Sequence, residues 1–256
     1  NVSDSSAQVF LINSGRTPEI NTKQNARSSD ICTERPSYIS QSQWREGLEA
    51  PNFNRVFHEV RHLIIHHSAG SNSATNFTQV VRDIYLYHTE VNGWSDIGYN
   101  YLIAQDGTLY AGRDPDTGEQ SLVRGAHFCG ANSNTMGVCL LGNYETAQPS
   151  LSNLKALSDL LTFESISLDI DPLGSQQHST GLLAQIAGHQ DGCATLCPGS
   201  NVYGQLDALK VVVFENKIRC EGGQSLDFSF DHEILGVDQI LTLTNKSVGY
   251  SDYLWY

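Results

Sequence analysis

The 256-residue sequence predicts an α/β fold, in which a mixed central β-sheet is flanked by helices. Three observations predict it: short apolar runs typical of buried strands, amphipathic helical patterns between those runs, and a strong hairpin signal at Asp106-Gly107. Strands and helices therefore alternate along most of the chain. An N-terminal extension and a short all-β segment are expected at its two ends.

Four strands are expected in the central part of the chain. Residues 63–68 form an apolar run that ends on two histidines and a serine before Ala69-Gly70, as a buried strand leading into a loop would. Residues 98–104 and 108–112 form the hairpin, and residues 136–142 form another buried strand. Two histidines at the end of a strand are candidates for a functional site.

Three helices are expected between and after these strands. Residues 75–90 carry apolar side chains at helical spacing, and Asn92-Gly93 ends the pattern. His88 lies on the apolar stripe of this helix, which favours a structural role for it. A second helix begins after Pro149-Ser150, and a third covers about residues 202–217.

Composition excludes some classes of function. A net charge of −13 would repel a phosphate backbone, so nucleic acid is not an expected partner. The sequence has no run of about 18 apolar residues that could span a bilayer. Six cysteines are typical of an exported protein that forms disulfides, so we expect a secreted, periplasmic or cell-surface protein.

A candidate metal site follows from the spacing of donor residues. His189 and Cys197 lie eight residues apart around small and turn-forming residues, so one loop can bring both side chains to one point. A catalytic zinc ion takes three protein ligands of this kind and leaves one position for water. His66 is the candidate third ligand, although spacing alone does not choose between it and His67. The alternative to a metal site is that the histidine is a structural residue of the core and the cysteine forms a disulfide.

Five segments of the sequence carry a family resemblance. They resemble, in order, those of the N-acetylmuramoyl-L-alanine amidase type 2 family, which includes animal peptidoglycan recognition proteins and phage amidases. The resemblance covers about residues 36–219 and rests on Ile65-His66-His67-Ser68-Ala69-Gly70, Gly93-Trp94-Ser95-Asp96-Ile97-Gly98-Tyr99-Asn100, Asp106-Gly107-Thr108-Leu109-Tyr110-Ala111-Gly112-Arg113, Gly125-Ala126-His127, and Gly188-His189 through Cys197-Pro198-Gly199.

The resemblance implies a function. It implies a zinc-dependent hydrolase that cleaves the amide bond between N-acetylmuramic acid and L-alanine in peptidoglycan, with one Zn²⁺ per chain. We expect the protein to be a monomer. The implied zinc ligands are His66, His189 and Cys197. Tyr99 and Thr195 are implied as catalytic residues that steady the oxyanion.

Three further residues are expected to bind the substrate: Arg113, His127 and Asn134. The alternative for His127 is a structural role, as a buried polar residue that bonds to the sheet. The sequence does not decide whether the stem peptide carries diaminopimelate or lysine. A protein that binds peptidoglycan without cleaving it, and an adhesin with a structural zinc, are the alternative functions. The cysteine ligand favours the enzyme.

Three regions are expected along the chain: an extension over residues 1–35, the amidase domain over residues 36–221, and a partial β-sandwich over residues 222–256. The last region resembles the opening half of a polycystic-kidney-disease (PKD) domain, and we expect it to be truncated because it ends on an apolar strand. Cys193 could be a fourth ligand. Possible disulfides are Cys129–Cys139 and Cys32–Cys220, although connectivity cannot be read from sequence.

Overall fold

The computed structural model describes residues 30–51, 54–113 and 118–222, together with the backbone of three further strands near the two ends of the chain. The chain divides into two units. One is formed by Asp30–Lys217, and the other by Asn1–Ser29 with Ile218–Tyr256. The candidate site lies entirely within the first unit.

The described elements are as follows. The strands are β1 (Ala7–Val9), β2 (His62–His67), β3 (Tyr101–Ile103), β4 (Leu109–Ala111), β5 (Thr135–Leu140), β6 (Ser175–His178), β7 (Gly181–Ala184), β8 (Ile186–Gly188), β9 (Phe228–Phe230) and β10 (Leu241–Asn245). The helices are α1 (Asp30–Thr33), α2 (Gln41–Trp44), α3 (Phe77–Leu86), α4 (Leu151–Ser167), α5 (Ser200–Tyr203) and α6 (Leu206–Cys220). A π-helical turn, Tyr87–Val91, continues α3.

A five-stranded sheet forms the centre of the larger unit, in the order β4-β3-β5-β2-β8. β2 pairs in parallel with both β5 and β8, and β3 pairs in parallel with β5. β4 is the antiparallel edge strand, joined to β3 by the expected hairpin. The sheet is therefore mixed, as predicted.

Helices cover both faces of this sheet. Leu63 and Ile65 of β2 belong to the hydrophobic cluster formed with α4, α5 and α6. The opposite face carries a second cluster, in which Trp44 of α2 and Tyr85 of α3 pack against β3 and β4. Because both faces are covered, β2 is buried along its whole length, and its three central residues are apolar without alternation. The predicted fold class is confirmed.

The expected helices are present, with one change. α3 and its π-helical turn cover the first, and α4 begins after Ser150, whose side chain accepts a hydrogen bond from the backbone N–H of Asn153. The third expected helix is two helices, α5 and α6, separated at Gly204 and Gln205. Glycine has a low helix propensity, which is consistent with a break at this point.

Some elements were not expected. The β6–β7 hairpin has a polar first strand, Ser-Gln-Gln-His, whose first three residues are exposed, so no alternation of apolar residues marks it. β8 has only three residues. α1 lies within the stretch expected to be an extension, yet it contacts α4. Arg35, just after α1, forms an ion pair of 3.2 Å with the buried Glu164.

The smaller unit contains an antiparallel sheet of β1, β10 and β9. β9 and β10 fall where short strands were expected. The PKD resemblance concerns residues that lie mostly outside the described part of the chain. Among the described residues, no helix combines the length and the apolar character needed to cross a membrane.

Candidate metal centre at the carboxyl edge of the sheet

The parallel pairing of β2 and β8 brings two histidines together. Their register aligns Ile65 with Gly188, and the next residue of each segment is a histidine: His66 within β2 and His189 immediately after β8. The centroids of the two imidazole rings are 4.4 Å apart. This is the carboxyl end of the parallel strands, where open α/β sheets commonly bind ligands.

Cys197 is the third member of this cluster. Its Sγ lies 3.7 Å from Nδ1 of His66, and one donor atom from each of His66, His189 and Cys197 lies within 4.8 Å of the others. The backbone N–H of His67 donates to the same Sγ at 3.3 Å. The structure therefore brings together the three residues that the sequence predicted as metal ligands.

His67 has different surroundings from its neighbour, because successive strand residues point to opposite faces. Its ring Nδ1 accepts a hydrogen bond of 3.2 Å from the backbone N–H of Tyr144. Its side chain is absent from the donor cluster. The geometry thus distinguishes two histidines that spacing alone could not.

Burial keeps the donors of the cluster uncharged. It lowers the pKa of His66 well below its usual value, an effect reinforced by His127 and His189, and it lowers the pKa of His189 to about 4. It raises the pKa of the Cys197 thiol to about 12, which the His67 N–H bond opposes. Two neutral imidazoles and a thiol therefore face one another, and a bound cation would favour loss of the thiol proton.

The loop that carries His189 and Cys197 is anchored at several points. Asp191 accepts hydrogen bonds from the backbone N–H of Gly188 at 2.8 Å and from the hydroxyl of Tyr203 at 2.5 Å. A disulfide joins Cys193, in the middle of the loop, to Cys129. These contacts hold the loop against the end of β8.

This disulfide excludes two possibilities that the sequence leaves open. Cys129 pairs with Cys193, and not with Cys139, which is a buried free thiol. The physical reason is that Cys139 is held inside the sheet by β5, in register with His66, whereas Cys129 lies in the loop before that strand. Because Cys193 is in a disulfide, it cannot also be a thiolate ligand. Cys32 and Cys220 are each disulfide-bonded as well.

The two predicted catalytic residues each contact a member of the cluster. The Tyr99 ring lies 5.2 Å from the His66 ring, centroid to centroid, and its hydroxyl contacts the Cys139 thiol. Burial raises the pKa of Tyr99 well above its usual value, so the phenol keeps its proton. The Thr195 hydroxyl accepts a hydrogen bond of 3.1 Å from the backbone N–H of Cys197.

The predicted substrate-binding residues are not all in one place. His127 contacts His66 directly, with 2.9 Å between His127 Nδ1 and His66 Nε2. Asn134 lies just before β5, at the opposite end of the sheet, and its side chain donates to the backbone carbonyl of Glu59 at 2.9 Å. The structure therefore brings His127 to the cluster and leaves Asn134 away from it.

Arg113 has an intermediate position. Its guanidinium is buried and donates to the backbone carbonyls of Ile97, Arg124 and Asp96. It also lines an open cavity of about 530 Å³, whose walls include Ser95, Arg124 and Asn132 but none of the three metal-site donors. This cavity is therefore a concave surface separate from the donor cluster.

One residue of the site was not identified as such from the sequence. The ring of His88 packs on Trp94 and on Tyr99, with centroid distances of 4.6 and 5.6 Å, and its Nδ1 accepts from the backbone N–H of Gly98. Its apolar-stripe position pointed to a structural role, and this hydrogen bond is structural. The contact between the His88 and Tyr99 rings is tertiary, so the helical spacing of the sequence does not reveal it.

Known proteins resemble this chain in both sequence and structure. The sequence model of the N-acetylmuramoyl-L-alanine amidase family matches residues 56–200. Peptidoglycan-recognition protein SC2 of Drosophila melanogaster is 33% identical over 171 residues, which cover 66% of this chain and 83% of that protein. Peptidoglycan recognition protein 1 of Mus musculus is 30% identical over 168 residues, covering 64% of this chain and 83% of that protein.

Solved structures agree with this relationship. Wild-type Drosophila PGRP-LB superposes with a TM-score of 0.55 and 28% identity, covering 67% of this chain and 93% of that one. An endolysin N-acetylmuramoyl-L-alanine amidase from Clostridium intestinale has a TM-score of 0.52 at 21% identity, covering 68% and 95%, and shares the fold. With a family match over more than half of its residues, the chain belongs to the N-acetylmuramoyl-L-alanine amidase family.

Proposed function

We propose that this protein is a zinc-dependent amidase that hydrolyses the bond between N-acetylmuramic acid and L-alanine in peptidoglycan. The observation that carries the proposal is the convergence of His66, His189 and Cys197 at the carboxyl edge of the sheet, with donor atoms within 4.8 Å of one another. All three donors come from one chain, so a monomer would suffice.

The donor set fits zinc. Two imidazole nitrogens and a thiolate sulfur are typical ligands of Zn²⁺, and three protein ligands leave one position open. Nε2 of His189 is a buried atom without a hydrogen-bond partner among the described residues, which supports a ligand-binding role for this ring. When bound at such a site, zinc lowers the pKa of a coordinated water towards about 7 and polarises the scissile carbonyl.

Tyr99 and Thr195 would complete the site as hydrogen-bond donors. The phenol of Tyr99 keeps its proton because burial raises its pKa, so it can donate to the oxyanion that develops in the transition state. The Thr195 hydroxyl already accepts from the Cys197 N–H, which orients it and leaves its own proton to donate. Both groups would act on the negative charge and not on the ground-state amide.

The relatives support peptidoglycan as the substrate. Several are named peptidoglycan recognition proteins, and a Drosophila PGRP-LB variant has been solved in complex with tracheal cytotoxin. We propose that a muropeptide is bound here. Of the three expected contributors, Arg113 lines the open cavity, whereas Asn134 lies away from the donor cluster and the ring nitrogens of His127 already contact His66 and Thr135. The Cys129–Cys193 disulfide supports an oxidising, extracytoplasmic compartment. The amidase domain is proposed to cover residues 36–221.

Digestion of purified sacculi tests the proposal. The zinc-loaded protein should release stem peptides free of muramic acid, and a chelator should stop that release. Cys197→Ser should abolish hydrolysis while binding to sacculi persists. Absence of release by protein with one zinc per chain would contradict the proposal.

Recognition without hydrolysis is the second candidate function, favoured by the names of the relatives. It predicts sacculus binding that neither chelation nor Cys197→Ser changes, together with no released peptide from the native protein. Comparing binding and release in the same samples therefore separates the two functions.

A further inference from the structure

Two buried histidines form a direct hydrogen bond behind the donor cluster. Nε2 of His66 and Nδ1 of His127 are 2.9 Å apart, and the two rings are nearly perpendicular, at 86°. Both side chains are buried, with exposures of 1% and 7%. A hydrogen bond between two neutral imidazoles requires an N–H on one nitrogen and a lone pair on the other.

Thr135 decides which histidine donates. Its hydroxyl donates to the backbone carbonyl of Asn132 at 3.0 Å, so its only proton is already used. The same oxygen lies 3.3 Å from Nε2 of His127. With the hydroxyl proton assigned to the shorter Asn132 bond, this oxygen accepts from His127, and the assignment places an N–H on His127 Nε2. Nδ1 of His127 then carries a lone pair and accepts from His66.

We propose that Thr135 and His127 form a relay that fixes the tautomer and the ring orientation of His66, so His127 is a positioning residue for the metal ligand. The hydrogen-bond order gives His66 a proton on Nε2 and leaves its Nδ1 lone pair facing Cys197 Sγ, 3.7 Å away. Partners of this kind hold ligating histidines in one tautomer. The inference rests on the proposed role of His66 in metal binding.

The fold holds the His127 ring closely in place. A Cβ added at Gly137 of β5 would lie 2.6 Å from the ring, and one at Gly125 would lie 2.6 Å from its Cδ2 atom. The backbone N–H groups of His127 and Phe128 both donate to the side-chain oxygen of Asn132, at 2.7 and 2.8 Å. The ring therefore cannot turn freely, and both of its nitrogens are already hydrogen-bonded within the protein.

Nitrogen-15 NMR of the metal-free native protein at neutral pH tests the relay directly. We expect His66 to carry its proton on Nε2 and to have an unprotonated Nδ1, with His127 also protonated on Nε2. A proton on Nδ1 of His66 would overturn the proposal. Because this measurement involves neither zinc nor substrate, its outcome is independent of whether the protein is an amidase.

Zinc affinity of matched variants tests the consequence for the metal site. His127→Leu removes the acceptor and should weaken zinc binding about 10–100-fold, as measured by chelator competition. His127→Asn keeps an acceptor oxygen near the Nδ1 position and should stay within about threefold of the native affinity. Thr135→Val should populate the other tautomer of His66. Its loss of zinc affinity should lie between those of His127→Asn and His127→Leu.

Thr162→Val is the control for Thr135→Val, because Thr162 is an equally buried threonine on α4 and lies in none of the contacts of the relay. It should leave both the zinc affinity and the His66 tautomer unchanged. If His127→Leu does not fold, Thr135→Val and His127→Asn still decide the question. Native zinc affinity and native tautomer in Thr135→Val would overturn the relay, even if every variant had lost amidase activity.

Discussion

Adjacent histidines of one strand have different surroundings in this protein, and we propose separate roles for them. His66 points to the face that carries His127 and Tyr99, whereas the ring of His67 accepts a hydrogen bond from the backbone of Tyr144. Their peptide unit still links them to the same sulfur, because the His67 N–H donates to Cys197. One residue would therefore supply a ligand, and the next would support another ligand through its backbone.

Alanine variants separate these two tasks. His66→Ala should reduce bound zinc from about one ion per chain to almost none, because it removes one of three protein ligands. His67→Ala should keep most of the zinc and lose about 1 kcal/mol of stability from the Tyr144 hydrogen bond. Metal content after dialysis, measured by atomic absorption, checks both. Equal loss of zinc in the two variants would contradict this division.

The donors could be predicted from the sequence to different extents. The loop spacing pointed to His189 and Cys197 without any structure. The choice between His66 and His67 could not come from the strand pattern, because β2 is buried on both faces and therefore lacks alternation. The contact between His66 and His127 joins residues 61 positions apart and follows from sheet register, which no local pattern records.

At the scale of elements, the loop between β8 and α5 is fastened by a covalent bond. The Cys129–Cys193 disulfide links positions separated by 64 residues, with a Cα–Cα distance of 6.3 Å. It connects this loop to the segment that also carries His127. The bond therefore restrains the approach of the loop to the end of the sheet.

Replacing both cysteines, in Cys129→Ser/Cys193→Ser, should lower the free energy of unfolding by about 2–4 kcal/mol, because the unfolded chain gains freedom. Urea unfolding measures the change. With excess reductant, both proteins lack disulfides and the difference should vanish. A difference that persists in reductant would show that the serines disturb packing instead.

The start of α4 offers a second test at this scale. Ser150 caps the helix by accepting from the backbone N–H of Asn153, and its hydroxyl also contacts the carbonyl of Gln105. Ser150→Ala should therefore cost about 1 kcal/mol in the free energy of unfolding. Ser152→Ala, which changes an exposed serine of the same helix, should stay within about 0.5 kcal/mol of the native value.

The long elements were predictable, and the short ones were not. β2, β5, α3 and α4 are marked by apolar runs or helical spacing, together with the Pro149-Ser150 start signal. β8 is only three residues long, yet it delivers His189 to the site through its pairing with β2. The pairing of Cys129 with Cys193 likewise depends on tertiary position, and a sequence offers no local signal for it.

At the scale of the whole molecule, the buried carboxyl of Asp96 makes stability depend on pH. Burial raises the pKa of this carboxyl from 3.8 to about 6, although Gln41, the Ile97 N–H and Arg113 all favour its charged form. A raised pKa means that the folded protein holds the proton more tightly than the unfolded chain. This contribution is fully present below pH 3.8 and is lost as the pH rises through about 6.

Asp96→Asn should remove this contribution, which amounts to roughly 3 kcal/mol. The free energy of unfolding of the variant, relative to the native protein, should therefore rise between about pH 4 and pH 7. Only the change of the free energy of unfolding with pH is compared, because the amide also changes the hydrogen bonds with Gln41 and so shifts the absolute value. Asp207→Asn, at an exposed carboxylate, controls for the loss of one negative charge. Parallel pH curves for Asp96→Asn and the native protein would refute the effect.

The central position of β2 has a consequence for how the protein is made. β2 is synthesised before both of its sheet neighbours, since His62 pairs with Thr135 and Leu63 with Ile186, 73 and 123 residues further along. At roughly 5–20 residues per second, a ribosome needs about 6–25 s to complete the second partner. During that time β2 lacks one or both of the strands that it pairs with in the folded sheet. The candidate metal centre can therefore assemble only after Cys197 has been synthesised, 131 residues after His66.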